Sequence, residues 1–150
     1  MEKIVYVDMD DVLCDFMSEF RNGRRDNPDI EFPQGKVGFF EKLPPIPKAI
    51  DSVNRLREIA DLYILSAPSV HNAHSYTEKR IWIENYFGYE FCDRLILSCH
   101  KNLLQGEFLI DDYESGKGQE GFRGELLVFG SDTFPDWDRV MSYLVPKLSV

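Results

Sequence analysis

Ile4-Val5-Tyr6-Val7-Asp8-Met9-Asp10-Asp11-Val12 opens as an unbroken apolar run and closes on carboxylates. A short apolar run without alternation fits a strand buried on both faces, as in a parallel sheet. The same plan returns along the chain. Leu62-Tyr63-Ile64-Leu65 closes on Ser66, Leu95-Ile96-Leu97 on Ser98, Phe108-Leu109-Ile110 on Asp111-Asp112, and Leu126-Leu127-Val128-Phe129 on Gly130. Between these runs, apolar spacing predicts helices over residues 12–21, 48–59, 76–87 and 136–144. Ile50, Val53 and Leu56 keep helical phase, and Pro47 stands just before that helix. Strands alternating with helices predict an α/β fold with a parallel sheet and right-handed crossovers.

The chain has 150 residues, which suits a single domain over 1–150 with a core that needs no disulfide staples. Residues 22–47 break the rhythm. They hold Gly23, Pro28, Pro33, Gly35, Gly38, Pro44, Pro45 and Pro47, with apolar and aromatic residues between. Structureless loops longer than about 12–15 residues are uncommon in small domains unless they serve a site, so this stretch is expected to be a small cap. Lys and Arg number 17 against 26 Asp and Glu, a formal net charge of -9. That balance opposes binding of long nucleic acid, whose recognition needs a basic track. No apolar run is long enough to span a membrane, and the start enters a strand directly with no signal-like segment. Cys14, Cys92 and Cys99 are an odd count without CxxC spacing. They read as reduced thiols, and a cytoplasmic location is expected.

Ligands of open α/β sheets bind outside the carboxyl ends of the strands. Here those ends carry Asp8, Asp10 and Asp11 on one run and Asp111 and Asp112 on another. Five carboxylates gathered there would repel one another without a hard divalent cation, and Mg²⁺ suits sites that also hold phosphate. One of Asp8 and Asp10 could attack phosphorus while the other protonates the leaving oxygen. Ser66 offers a hydroxyl to a phosphoryl oxygen, and Lys101 offers an ammonium against its charge.

Taken in order, Asp8-Met9-Asp10-Asp11-Val12, Ser66, Lys101 and Asp111-Asp112 resemble the four motifs of the haloacid-dehalogenase-like (HAD) phosphohydrolases. Asp8 to Phe16 is similar to the DMDGVLADF start of the 5'(3')-deoxyribonucleotidase branch. Gly38-Phe39-Phe40 resembles its Gly-Phe-Trp element, and the stretch from Tyr76 to Gly88 resembles one ending in Tyr-Phe-Gly. The resemblance implies a Rossmann-like sheet of order 5-4-1-2-3, flanked by helices, with a helical cap after strand one. It implies Asp8 as the nucleophile and Asp10 as general acid, then base. Mg²⁺ would be held by the Asp8 carboxylate, the Asp10 carbonyl and Asp111, with Asp112 nearby through water or a second-layer bond. Ser66 and Lys101 would bind phosphate, and Phe16, Phe39 and Phe40 would line a base pocket. The chain departs from the branch at Asp11, which replaces a Gly, and at Ala67, where a second hydroxyl is common.

The expected activity is therefore Mg²⁺-dependent hydrolysis of a small phosphate monoester, a nucleotide by resemblance, by a monomer or homodimer. A sugar-phosphate phosphatase and an idle binding module are the alternatives. His71, His74 and His100 read as loop residues near the phosphate site, and Gly116, Gly118, Gly121 and Gly124 as a mobile loop.

Overall fold

The apolar runs pair as parallel strands. The computed structural model describes residues 1–149. In it β1 (Ile4–Val7), β2 (Asp61–Ser66), β3 (Leu95–Leu97), β4 (Phe108–Asp111) and β5 (Glu125–Val128) form one sheet in the order β3-β2-β1-β4-β5. Every neighbouring pair is parallel. This is the order 5-4-1-2-3 viewed from the opposite edge. The chain winds from β1 to one edge and then returns to lay β4 against the other side of β1. Val7 pairs with Ile110, and the Asp8 N–H donates to the Ile110 carbonyl at 2.9 Å. The two acidic strand ends are thereby neighbours at the switch point of the sheet, the place where such folds bind ligands.

Alternate residues along each strand face opposite sides. Val5, Val7, Leu62, Ile64, Phe108, Ile110 and Leu127 join the main core. Against them pack α2 (Ala49–Leu56), α3 (His74–Phe87) and α4 (Trp137–Leu148), through Val53, Leu56, Trp82, Ile83, Val140 and Leu144. The opposite face is thinner: Tyr6, Leu65 and Leu109 cluster with Phe122. Leu104 and Phe122, which cover it, flank the 3-10 turns Lys101–Leu103 and Gln119–Gly121.

The expected helices form, with one displaced. α1 runs Phe16–Asp26 in place of the expected 12–21. Asp11 adopts a left-handed φ of 60°, which Asp tolerates better than most residues. The N–H groups of Val12, Leu13 and Cys14 converge on the Met9 carbonyl, so these residues make a buried turn before the helix begins. Asp15 then caps α1 by accepting from the Ser18 N–H. At the other terminus α4 passes Pro146 and ends at Leu148, beyond the expected 144.

Of the 22–47 stretch, the start belongs to α1 and the rest holds one 3-10 turn, Pro33–Gly35. Hydrogen bonds fasten it to the body of the protein. Ile46 N–H donates to the Leu13 carbonyl, Asn72 Nδ2 to the Gln34 carbonyl at 2.8 Å, and Trp82 Nε1 to the Leu43 carbonyl at 2.8 Å. Phe40 N–H donates to Glu78 Oε1 at 3.2 Å. Most of these anchors stand on α3 or just before it. No helix among the described residues is long and apolar enough to cross a membrane.

Candidate active site

Asp8 follows β1 and Asp111 ends β4, both buried, because their strands are central and paired. Lys101 comes from the 3-10 turn after β3 and is 1% exposed. Its Nζ donates to Asp8 Oδ1 at 2.9 Å and to Asp111 Oδ2 at 2.5 Å. The position of Lys101 is set by its backbone: its N–H donates to the Lys117 carbonyl at 2.7 Å. Gln119, also buried, donates from Nε2 to Asp111 Oδ2 at 3.3 Å and accepts from the Lys117 N–H at 2.8 Å. The glycine-rich stretch is thus a packed loop. At Gly118, with φ +87°, an added Cβ would lie 2.8 Å from Asn102 N and 2.9 Å from Lys101 N. Only glycine permits that approach.

Oxygens of Asp8, Asp111 and Asp112 lie within 4.8 Å of one another. Asp112 Oδ1 is buried with no hydrogen-bond partner within the protein. Burial pushes the Asp8 carboxyl up to about 6, against the pull of Lys101. Burial, and then the charge of Asp8, push Asp112 up to about 9. Lys101 is desolvated, yet Asp8 and Asp111 outweigh that loss and hold its pKa above the ordinary lysine value. Three close carboxylates, one with an unused buried oxygen, fit a hard divalent cation that binds oxygen. A transition-metal reading fits less well, since His71, His74 and His100 are exposed and stand outside this group.

The structure does not bring every expected residue to one surface. The crevice above the carboxylates holds about 190 Å³ and is lined by Asp8, Asp10, Asp11, Phe16, Ala67, Lys101, Asp111, Asp112, Tyr113, Lys117 and Gln119. Ser66 is fully buried at the end of β2, and its hydroxyl has no partner within the protein. Phe16 lines the crevice, whereas Phe39 lines a separate cavity of about 540 Å³ between α1 and residues 30–42. Their rings meet at a centroid distance of 5.6 Å, edge to face. Phe40 is buried behind both and lines neither space. Asp10 stands apart from the three-carboxylate group: its Oδ2 accepts from Lys79 Nζ at 3.0 Å, and its Oδ1 faces the Cys14 thiol at 3.5 Å. Asp11 accepts from the Met17 N–H at 3.0 Å, so the residue that departs from the glycine pattern anchors the start of α1.

Two residues escaped the sequence reading. Lys79 sits in Glu78-Lys79-Arg80, which reads as a solvated charged patch. Its helical phase was the available signal, because Ser75, Glu78, Lys79, Trp82 and Ile83 share one buried face. Gln119 carried no comparable signal.

The family model "5' nucleotidase, deoxy (Pyrimidine), cytosolic type C protein" matches residues 30–143. A "Putative 5'(3')-deoxyribonucleotidase" of Vibrio phage KVP40 is 41% identical, over 96% of this chain and 85% of that protein. The cytosolic type 5'(3')-deoxyribonucleotidase of Homo sapiens is 31% identical, over 77% of this chain and 73% of its own length. Among solved structures, the "putative HAD-hydrolase YfnB" of Bacillus subtilis, bound to magnesium, superposes with a TM-score of 0.65 at 12% identity. It covers 95% of this chain and 98% of that one, a likeness of fold.

Proposed function

Because this chain belongs to the 5'(3')-deoxyribonucleotidase family of HAD-like hydrolases, we propose that it hydrolyses small nucleoside monophosphates, deoxy forms included, through an aspartyl-phosphate on Asp8. The observation that carries this reading is the Asp8–Lys101–Asp111 array. It holds a buried carboxylate at the sheet's switch point, fixed by a cation that also pairs with a second strand end. An attacking group held so closely needs little reorganisation to reach phosphorus.

In the first step an Asp8 oxygen bonds to phosphorus while the ester P–O bond breaks, and Asp10 gives its proton to the leaving alcohol. In the second, Asp10 takes a proton from water as that water's oxygen attacks phosphorus. The Asp8–phosphorus bond breaks, releasing inorganic phosphate and restoring both carboxyl groups. Ser66 and Lys101 bind the phosphoryl oxygens; the unpartnered Ser66 hydroxyl supports its share of that role. Mg²⁺ would be held by the carboxylates of Asp8 and Asp111 and the carbonyl of Asp10, with Asp112 beside it, and would offset the charge gathered on the phosphoryl group. Residues 22–47 serve as the cap, and the Phe16–Phe39 ring pair as the surface that meets the base. The protein works in the cytoplasm, on single nucleotides.

The test is hydrolysis of a panel of phosphate monoesters with and without Mg²⁺. Nucleoside monophosphates should exceed hexose phosphates in kcat/KM, and EDTA should silence all turnover. Asp8→Asn keeps the side-chain volume and should reduce turnover to background in a folded protein. Near-normal rates in that variant would end the aspartyl-phosphate reading, and a panel led by sugar phosphates would end the nucleotide assignment.

A further inference from the structure

Lys79 is 1% exposed, carried on α3 one turn before Trp82 and Ile83. Burying a lysine strips its ammonium of water, so such residues are rare and their partners are informative. Here the partners come from two different parts of the fold. Nζ donates to Asp10 Oδ2 at 3.0 Å, across 69 positions of sequence, and lies 4.8 Å from the centroid of the Phe40 ring. The neighbouring Glu78 accepts from the Phe40 N–H. Lys79 does not line the crevice, whereas Asp10 does. Its charge therefore reaches the chemistry through Asp10 and not through the phosphate, which Lys101 serves.

The Asp10 carboxylate is 26% exposed and stands beyond the three-carboxylate group, so solvent competes for it. The Cys14 thiol at 3.5 Å is a weak donor and holds Oδ1 loosely. Lys79 supplies the firm contact, on Oδ2. We propose that Lys79 is a positioning residue for Asp10: it fixes the orientation of that carboxyl and ties it to Phe40, so one side chain sets both the proton donor and the adjoining cap. This rests on the reading of Asp10 as the group that protonates the leaving alcohol.

The experiment exploits leaving-group chemistry. A nucleoside 5'-alkoxide needs protonation as it departs, whereas the phenolate of p-nitrophenyl phosphate leaves without it. Single-turnover release of nucleoside or of p-nitrophenol reports ester cleavage before the aspartyl-phosphate is hydrolysed. In Lys79→Met, nucleotide cleavage should fall by about 10²-fold, the low end of what a positioned acid supplies, with KM little changed and p-nitrophenol release nearly intact. Lys79→Arg should recover most of the loss. Because Lys79 acts through Asp10, Lys79→Met should add nothing further to Asp10→Asn in the double variant. If Lys79→Met does not fold, Lys79→Gln, which keeps a donor for Asp10, should show the same selectivity with a smaller loss.

Equal losses on both esters, a rise in KM at constant kcat, or effects that multiply in the double variant would overturn the inference and leave a contact that only pins the cap. Asp10→Asn with unchanged nucleotide cleavage would remove the premise as well. Selective loss in Asp10→Asn with none in Lys79→Met would overturn the Lys79 assignment alone.

Discussion

At Asp8, the attacking group of the proposed reaction, two demands conflict: that role requires ionisation, and the burial that orients the side chain opposes it. The result is a carboxyl raised to about 6, beside an Asp112 raised to about 9. Both stand above the unfolded value of about 4. Between that value and the folded ones, the metal-free folded protein binds more protons than the unfolded chain, so its stability falls as pH rises through the window. A divalent cation needs these carboxylates ionised, so its binding strengthens over the same window as protons leave. The increase in Tm on adding Mg²⁺ should therefore be larger at pH 8 than at pH 5. Equal increases at the two pH values would show that the cation does not bind at Asp8 and Asp112. The presence of both carboxylates was legible from the acidic ends of two apolar runs. Their raised pKa values were not, because burial and the approach of Asp112 to Asp8 arise only when β1 and β4 pair.

The loop that follows β4 shapes the site through its backbone. Gly116 and Gly118 both have positive φ, yet an added methyl meets nothing at Gly116 and meets the backbone of Lys101 and Asn102 at Gly118. Ala at either position incurs a strain of about 1–3 kcal/mol. Gly118→Ala must also displace Lys101, and a shift near 1 Å in a group that positions substrate costs about 10²-fold. Thermal melts should find both variants destabilised, while kcat/KM should fall only in Gly118→Ala. A similar loss in Gly116→Ala would point to loop motion in place of Lys101 placement. On the side of α1, Phe16 lines the crevice and Phe39 the adjoining cavity, with their rings in contact. An aromatic surface contributes about 1–3 kcal/mol per stacked base and offers little to a sugar's hydroxyls. Phe16→Ala and Phe39→Ala should therefore erode the preference for nucleotides over hexose phosphates and spare p-nitrophenyl phosphate. If these rings serve only to pack the cap, Tm will drop and the ranking will stay unchanged.

Across the whole chain, the net charge of -9 weighs against extended polyanions. Lys101 and Lys117 are the cations that line the crevice, opposed there by five Asp side chains. One phosphate can be met in that setting; a row of them cannot. A 5'-phosphorylated oligonucleotide should be hydrolysed roughly tenfold or more less efficiently than the mononucleotide, the gap narrowing as salt screens the repulsion. Equal rates for the two would place a path for the strand on this surface. The sheet is also unequally covered, with α2, α3 and α4 on one face and the small Tyr6–Leu65–Leu109–Phe122 cluster on the other.

What the sequence determined by itself was local and periodic. Apolar runs announced five strands, their polar ends announced where carboxylates would gather, and the spacing in α2, α3 and α4 announced helices. These features follow from which side chains must leave water, and a window of a few residues records that. The start of α1 escaped that reading, because the apolar Val12 and Leu13 fill a buried turn created by the left-handed Asp11. The partners of the charges escaped it as well. Lys101 reaches Asp8 across 93 positions and Lys79 reaches Asp10 across 69. Helical phase can place Lys79 on a buried face, but no local pattern names the carboxylate that a lysine meets. Only the order of the strands, and the packing of α3 beside residues 34–43, decides which carboxylate each ammonium meets.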